Sequence, residues 1–265
     1  MKGSFKYKDG IIGYSDKGRG EAIVLLHGYL ETSEIWDSLA KKLAERFRVF
    51  TIDLPGHGRS DIFGEIHTME FMADVVNELI MDAGIKKFFL AGHSLGGYVA
   101  LACAELFPKK LSGYCLFHSH PFADSPEAFE KRNREINLVK AGKKELMYPD
   151  NISRMFATPN LEKFSEELQR SRKIASSLSG EGIIAVLKGM MARPSRLQVM
   201  EEGRVPCLWI LGAMDNYINY EQVRARVIIP VNARVVVLQN SGHLGFIEEE
   251  TRCLEIITNF IGELS

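Results

Sequence analysis

The sequence predicts an α/β protein in which helices cover both faces of a mostly parallel central sheet. Short apolar runs such as AIVLLH, at residues 22–27, have the length and composition of strands that are buried on both faces. Segments whose apolar residues recur at helical spacing alternate with these runs. Because a parallel strand reaches its neighbour through a crossover that is usually a helix, this alternation favours a parallel sheet.

The first half of the chain contains the clearest alternation. An Asp9-Gly10 turn within SFKYKDGIIGYSDKG predicts a β-hairpin. The strand AIVLLH follows, then a helix with apolar residues at positions 35, 39, 43 and 47, then the strand RVFTIDL. A second amphipathic helix begins at Met69 and ends near Gly84. The strand KKFFLAGH, the apolar helix GYVALACAELF and the strand GYCLFHS complete this half.

The pattern changes between residues 121 and 204. Charged amphipathic segments such as EAFEKRNREINLVKAGKKELM follow one another there without a convincing buried strand. The sheet pattern resumes with CLWILG, a helix near EQVRARV, the strand RVVVLQN and a final helix, EEETRCLEIITNFIGEL. We therefore expect a core formed by residues 1–120 and 205–265, with residues 121–204 inserted as a helical cap over one edge of the sheet.

Composition restricts the partners of this protein. Its 265 residues include 33 Lys and Arg against 34 Asp and Glu, so no basic excess indicates nucleic acid or an anionic membrane. The N-terminus has no apolar signal region, and no stretch approaches the roughly 20 apolar residues that span a bilayer, so a cytoplasmic location is expected. Four widely spaced cysteines without a CxxC motif indicate reduced, mostly buried thiols rather than disulfides or metal ligands.

One serine is distinguished by its local sequence and its position. Residues 92–96, GHSLG, fit the pattern G-x-S-x-G and lie between a predicted strand and a predicted helix. Glycines at both ends of the pattern allow a sharp turn that projects the Ser94 hydroxyl above the sheet. The N-terminus of the following helix directs the backbone N–H of Leu95 toward an oxyanion formed there. Ser94 is thus the predicted nucleophile, and a glycine-rich turn with an incidental serine is the alternative.

A serine hydroxyl needs a base to accept its proton, and an imidazole is the usual one. His243, in the segment NSGHLGF, follows the last predicted strand and precedes the last helix, so it lies at the sheet edge where Ser94 is expected. His27 and His57 occupy glycine turns, and the side chain of His93 is expected to point away from Ser94. We therefore predict His243 as the base.

The base in turn needs an acceptor that fixes its tautomer. Asp215, in GAMDNYIN, follows the strand CLWILG directly and so also emerges at the carboxyl edge of the sheet. Asp53 is a rival, but the neighbouring PGHGRS indicates an aspartate that braces a glycine turn. Asp124 is a second rival, on the loop after LFHS. Asp215 is the predicted acid.

Together these motifs resemble the α/β-hydrolase family over nearly the whole chain. The resemblance depends on HGYLETSEIW, DLPGHGRS, GHSLGG, GAMD and SGHLGF, with the chemical residues in the order Ser, Asp, His. It implies a helical cap and an oxyanion hole built from the backbone amides of Tyr29 and Leu95. Within the family, the chain resembles the small bacterial cap-bearing esterases and their relatives that cleave C–C bonds or act in menaquinone synthesis. It also implies hydrolysis of a small-molecule acyl substrate through an acyl-enzyme, with no metal or organic cofactor.

The sequence leaves other reactions open. The same motifs would serve a C–C bond hydrolase, a thioesterase or amidase, or a lyase in which the three residues act mainly as a base. A ligand-binding receptor with little turnover can also keep all three residues. Relatives with an aspartate nucleophile, the haloalkane dehalogenases and epoxide hydrolases, are excluded because position 94 is a serine.

Substrate contacts are expected from the cap and from residues beside the three chemical groups. An apolar acyl or aryl pocket is the simplest expectation, with candidate contacts at Phe122, Met155, Phe156, Met190 and Tyr217.

Two features complicate the expectation of an apolar pocket. The segment HSHPFAD places His118, His120 and Asp124 at the end of a central strand, where pocket polarity or a hinge is favoured over a metal site. The predicted cap also contains arginines, and an inward-facing one would favour a substrate with a carboxylate. Among them are Arg132, Arg134, Arg154, Arg172 and Arg193.

Overall fold

The structure is a computed structural model, which describes residues 2–264. Within that range eight strands form one sheet in the order β1-β2-β4-β3-β5-β6-β7-β8. The strands are β1 (Lys2–Tyr7), β2 (Gly10–Gly18), β3 (Ala22–Leu26), β4 (Arg48–Ile52), β5 (Phe88–His93), β6 (Leu111–Phe117), β7 (Cys207–Gly212) and β8 (Ala233–Leu238). β2 pairs antiparallel with both β1 and β4, and all other neighbours are parallel. The predicted mostly parallel sheet is confirmed.

Eleven α-helices connect or cover these strands within the described range. They are α1 (Asp37–Leu43), α2 (Met69–Asp82), α3 (Leu95–Leu106), α4 (Pro126–Lys140), α5 (Tyr148–Ser153), α6 (Ser165–Ser177), α7 (Gly180–Ala192), α8 (Leu197–Glu202), α9 (Tyr220–Arg224), α10 (Gly245–Glu248) and α11 (Glu250–Gly262). Short 3-10 helices occupy Ser33–Trp36, Pro108–Lys110, Lys144–Met147 and Thr158–Asn160.

The centre of the sheet is buried on both faces. Side chains alternate across a strand, and every residue of β3, β5 and β7 is buried. Helix α2 packs on α3, while α1 packs on α11. The apolar runs in the sequence therefore correspond to strands that lie between two layers of helices.

Helix α3 is the most apolar long helix because it lies inside this core. Its residues are buried from Leu95 through Ala104. No single helix between residues 2 and 264 is long and apolar enough to cross a bilayer, and α6 and α7 meet that criterion only as a pair bent by 97°.

The chain between β6 and β7 is helical wherever it has regular structure, and it contains α4 to α8. Helix α4 packs on α7, and α5 packs on α6. Helix α7 also lies against the loop that precedes α2, where the N–H of His67 donates to the carbonyl of Ala185 at 3.0 Å. A Cβ at Gly189 would lie 1.7 Å from the His67 carbonyl oxygen, so this close packing requires glycine. The segment with α4 to α8, called the helical layer below, thus packs directly on the core.

Candidate active site

Ser94 occupies a strained turn between β5 and α3. Its backbone has φ 49° and ψ −108°, a conformation that L-residues rarely adopt. A Cβ at Gly92 would lie 2.1 Å from the carbonyl oxygen of Gly96, and one at Gly96 would lie 2.6 Å from the carbonyl oxygen of Leu26. The two glycines are therefore required by the close approach of backbone segments around Ser94.

Strained backbone is concentrated around this turn. Four non-glycine residues in the described range have positive φ, and three of them, Leu30 (63°), Ser94 (49°) and His118 (46°), lie after β3, β5 and β6 at the same edge of the sheet. The fourth, Lys8, lies in the turn between β1 and β2. Each such residue costs of the order of 1–3 kcal/mol, and residues of this kind cluster at functional sites.

The imidazole of His243 contacts the carboxylate of Asp215. Nδ1 of His243 lies 2.7 Å from Oδ2 of Asp215. Oδ1 of Asp215 accepts hydrogen bonds from the backbone N–H groups of Tyr217 at 2.7 Å and Ile218 at 3.0 Å. The carboxylate is thereby held in one orientation, and it faces Nδ1 so that Nε2 is left for the cavity.

The two groups shift each other's protonation. Burial alone would raise the pKa of the Asp215 carboxyl, but His243, together with His118, holds it well below its usual range. Burial alone would lower the pKa of His243, but the Asp215 carboxylate raises it above the ordinary histidine value. Asp215 is thus ionised at neutral pH, and its negative charge stabilises the protonated form of the His243 ring.

The backbone of His243 is fixed from two sides. Its N–H donates to the carbonyl of Met155 at 2.7 Å, and its own carbonyl lies 2.9 Å from Nε2 of His93. The preceding N–H, of Gly242, donates to the Glu248 carboxylate at 2.7 Å. The loop that presents the imidazole is therefore tied to both the helical layer and the sheet.

The rival acids have other partners. Asp53 accepts hydrogen bonds from the N–H of Ser33 at 2.8 Å and from Arg59, and so it braces the glycine turn as expected. Asp124 is bound by Arg132 and by Arg193. Among the three candidates, Asp215 is the one whose carboxylate contacts His243.

The two histidines of HSHPFAD have separate partners. Nε2 of His118 accepts from the N–H of Gly245 at 3.1 Å, so the proton of the neutral ring lies on Nδ1, which faces Oδ2 of Asp215 at 3.5 Å. Burial lowers the pKa of His118 to about 4, which keeps the ring neutral. Nδ1 of His120 accepts from the N–H of Phe122 at 3.2 Å.

Ring nitrogens of His118 and His243 and a carboxylate oxygen of Asp215 lie within 4.8 Å of one another, as metal ligands do. However, the nitrogen that His118 directs at this cluster carries its proton, and a protonated nitrogen does not ligate a metal. The cluster is better described as one carboxylate that faces two imidazoles.

Ser94 and His243 line the same cavity. Among the hydrogen bonds of residues 2–264, none joins the Ser94 hydroxyl to the His243 ring. Such contacts are often long in enzymes without substrate. The N–H groups of Tyr29 and Leu95 likewise have no intramolecular acceptor within that range, as donors reserved for an oxyanion require.

His93 has a structural part in the site that the sequence did not predict. Its ring centroid lies 4.9 Å from that of His243, and it lines the same cavity. Nδ1 lies 2.8 Å from Oε2 of Glu31, which also accepts from the N–H of Gly28. Strand alternation could not predict the contact of His93 with Glu31, because the two residues are 62 positions apart. Glu31 had no signal beyond its place in HGYLETSEIW.

The cavity above Ser94 has a volume of about 430 Å³. Four of the five residues predicted to contact substrate, Phe122, Met155, Met190 and Tyr217, line it. Phe156 does not, and this expectation was wrong: its side chain is fully buried, and its ring stacks with that of Phe164 at 6.5 Å.

The cavity is more strongly charged than the predicted apolar pocket. Four cationic side chains and two carboxylates line it, namely Lys131, Arg132, Arg154, Arg226, Asp124 and Glu135. Aromatic and methionine residues cover only part of the wall. Charges on α4 were hard to assign from sequence because its cavity-facing and solvent-facing positions are both polar.

The chain is similar to known proteins over nearly its whole length. The pimeloyl-acyl-carrier-protein methyl ester esterase of Aeromonas hydrophila is 26% identical over 256 residues, which cover 92% of this chain and 97% of that protein. A thermophilic esterase from Thermogutta terrifontis, solved with malate bound, has a TM-score of 0.93 at 28% identity and matches 100% of this chain and 99% of its own.

A more distant structure, the enol-lactonase from Burkholderia xenovorans LB400, shares the fold, with a TM-score of 0.89 at 21% identity over 98% of this chain and 100% of that one. A family model for the alpha/beta hydrolase fold matches residues 21–250. The chain therefore belongs to the α/β-hydrolase fold family, as an esterase-like member.

Proposed function

We propose that this protein hydrolyses a small carboxylic ester through an acyl-enzyme formed on Ser94. The observation that supports this most strongly is the contact of 2.7 Å between His243 and Asp215. His243 lines the same cavity as Ser94, which lies in a strained turn. The backbone strain at Ser94 costs free energy, and strain of this kind is typical of residues whose side-chain orientation serves a function.

In the first half-reaction, Nε2 of His243 removes the proton from Ser94 as Oγ attacks the ester carbonyl carbon. The carbonyl electron pair moves onto oxygen, and the N–H groups of Tyr29 and Leu95 stabilise the resulting charge. The tetrahedral intermediate collapses, the C–O bond to the alcohol breaks, and His243 gives its proton to the leaving alkoxide. Asp215 stabilises the imidazolium between these two transfers.

In the second half-reaction, a water molecule takes the place of the alcohol. His243 removes a proton from that water as it attacks the acyl carbon, and the same two N–H groups stabilise the second oxyanion. Collapse releases the carboxylic acid and returns the proton to Ser94. All groups required for these steps belong to the protein, so the reaction needs no cofactor.

Two further observations favour an ester of a small acid. The cavity volume of about 430 Å³ is near the lower end of the range of about 300–1,000 Å³ for ligand pockets. Relatives and a structural neighbour are named as esterases, and that neighbour was solved with malate, a small polar acid. The reaction is therefore assigned to carboxylic esters ahead of thioesters, amides and C–C bonds.

The experiment uses a fluorophosphonate, which reacts with activated serines, and intact-mass measurement. Wild type is expected to gain one adduct, and Ser94→Ala is expected to gain none. Ser38→Ala serves as the matched control, because Ser38 is an exposed serine on α1. Hydrolysis of short-chain methyl esters is expected to fall by about 10⁶ in kcat for Ser94→Ala.

An adduct that persists in Ser94→Ala would contradict the assignment of the nucleophile. A folded wild type that gains no adduct and hydrolyses no ester would favour a binding role with little turnover.

A further inference from the structure

The charges of the cavity point to a more specific substrate than a small ester. We infer that the ester carries a carboxylate on its acyl part, and that Arg226 and Arg132 bind this group. This inference rests on the proposed hydrolysis of an ester at Ser94, and it adds the chemical class of the substrate.

The cavity has an excess of positive charge although the whole chain has a formal net charge of −1. Four cationic side chains line it against two carboxylates, and Arg193 lies directly behind Asp124. Basic character is therefore concentrated in the cavity and does not follow from the composition. A concave site lined by one sign of charge attracts a ligand of the opposite sign.

The two carboxylates are already engaged. Asp124 is shared by two guanidinium groups: Nε of Arg132 lies 2.7 Å from Oδ2, and Nη1 of Arg193 lies 2.6 Å from Oδ1. Glu135 accepts from Asn151 at 3.0 Å and lies 3.9 Å from Nζ of Lys131. One carboxylate cannot neutralise two arginines, so one positive charge remains beside Asp124.

Arg132 keeps a donor for a ligand. Its Nε and Nη2 groups bind Asp124, whereas Nη1 has no hydrogen-bond partner in the described part of the chain. Only 17% of its side chain is exposed, so the charge lies in a partly desolvated setting where an ionic contact is stronger than in bulk water.

Arg226 is the second arginine of the proposed site, and it differs from Arg132 in having no carboxylate partner among residues 2–264. It forms no ion pair with any acidic residue in the range 2–264, although it lines the cavity. Its guanidinium lies over the ring of Phe122, with Cζ 3.9 Å from the ring centroid. This cation–π contact holds the group at the cavity wall and uses none of its N–H donors, which can therefore bind a carboxylate.

A carboxylate is the group that fits both these donors and the proposed reaction. Its two oxygens can accept from the free N–H group of Arg132 and from the guanidinium of Arg226, and both arginines line the cavity that contains Ser94.

The test compares charged and neutral esters of equal length. The charged series is monomethyl succinate, glutarate and adipate, and the neutral series is methyl butanoate, pentanoate and hexanoate, in which a methyl group replaces the carboxylate. The readout is the ratio of kcat/KM between matched pairs, measured by titration of the released acid. Wild type is expected to favour at least one charged ester by about 10-fold or more.

Arg226→Gln is expected to reduce that ratio by about 5- to 20-fold. The matched control is Arg224→Gln, which removes the same charge two residues away. Arg224 is exposed at the end of α9 and does not line the cavity, so the wild-type ratio is expected to persist. Higher salt is expected to weaken the wild-type preference, because the contact is partly exposed.

The outcomes separate the two proposals. If esters are hydrolysed but no charged ester is preferred, or if Arg226→Gln keeps the wild-type ratio, the carboxylate site is wrong and the hydrolase remains. If no ester in either series is hydrolysed, binding of glutarate is measured by thermal shift. Stabilisation of wild type that is lost in Arg226→Gln but kept in Arg224→Gln would support the site without the reaction, and its absence would overturn both.

Discussion

The carboxylate of Glu31 lies 2.8 Å from Nδ1 of His93, and the side chains of both residues are buried. Each is bound to a different part of the site. Glu31 accepts from the N–H of Gly28, next to Tyr29, and Nε2 of His93 lies 2.9 Å from the carbonyl oxygen of His243. The pair thus connects the segment that contains Tyr29, a proposed oxyanion donor, to the segment that contains His243, the proposed base.

Hydrogen bonding keeps the Glu31 carboxyl ionised. Burial alone would raise the pKa of Glu31, but His93 and the N–H of Gly28 hold it below its usual range. The two ring nitrogens of His93 face two acceptors, the Glu31 carboxylate and the carbonyl of His243, so the ring is held from both sides. Replacement of the Glu31 carboxylate weakens one of these contacts and allows the ring and the segments bound to it to shift.

Glu31→Gln is therefore expected to reduce kcat by about 10- to 100-fold while KM changes little, because a small displacement of reacting groups is costly. The measurement is steady-state kinetics on a short-chain ester together with the rate of fluorophosphonate labelling. Glu34→Gln, at an exposed position three residues away, serves as the control and is expected to match wild type. Equal kinetics for Glu31→Gln and wild type would show that this pair stabilises the fold without positioning the site.

The pH dependence of activity follows from His243. The imidazole must be neutral to accept the Ser94 proton, and the Asp215 carboxylate raises its pKa above 6.5. Activity is therefore lost as the pH falls through that raised value. We expect the acidic limb of kcat/KM to have its midpoint above pH 6.5.

Asp215→Asn removes the group that raises the pKa of His243, and burial then lowers it. The acidic limb is expected to move to lower pH while kcat falls by about 10⁴, the effect of this change in other enzymes with a Ser-His-Asp arrangement. Asp82→Asn, at an exposed position on α2, is the control. If the acidic limb of kcat/KM keeps its midpoint in Asp215→Asn, the limb reflects the titration of a group other than His243.

Much of this site could be predicted because its residues follow strands directly. Ser94, Asp215 and His243 come after β5, β7 and β8, and the carboxyl ends of parallel strands meet at one edge of a sheet. The positions of Glu31 and His93 were not accessible in the same way. Their contact joins residues 62 positions apart and depends on side-chain directions near a strained turn.

The residues of the cavity wall were predicted less well than Ser94, Asp215 and His243. Phe156 was assigned to the pocket because it is apolar and lies in the helical layer, but an apolar residue there packs inward as readily as it faces a ligand. Arg226 was missed because it lies outside that layer, after α9, and reaches the cavity only through the fold. Residue type alone does not distinguish a residue that lines the cavity from one that packs in the protein interior.

His118 provides a test of the second imidazole that faces Asp215. His118→Asn keeps a residue type that tolerates the positive φ of 46° but removes the N–H directed at Oδ2. We expect kcat to fall by less than about 10-fold, because at 3.5 Å this electrostatic contact is weaker than a hydrogen bond to a charged group. Dialysis of wild type against a chelator is expected to leave kcat unchanged, whereas loss of activity restored by a divalent metal would show that the cluster is a metal site.

The turn around Ser94 makes a prediction about stability as well as activity. A methyl group at position 96 would lie 2.6 Å from the carbonyl oxygen of Leu26 and 2.9 Å from that of His27, so β3 and α3 must separate to admit it. Gly96→Ala is expected to lower the free energy of unfolding by about 1–3 kcal/mol. It is also expected to reduce kcat by about 100-fold or more, because the N–H of Leu95 moves with the turn.

Gly262→Ala is the matched control for this substitution. Gly262 ends α11, and a Cβ there would meet no atom within 4 Å, so the stability is expected to stay the same or rise by up to about 1 kcal/mol. Urea unfolding and ester hydrolysis measured on both variants separate the two effects. If Gly96→Ala unfolds like wild type, the backbone segments around Ser94 can separate without cost, and the strained turn would not be held by the packing of β3 against α3.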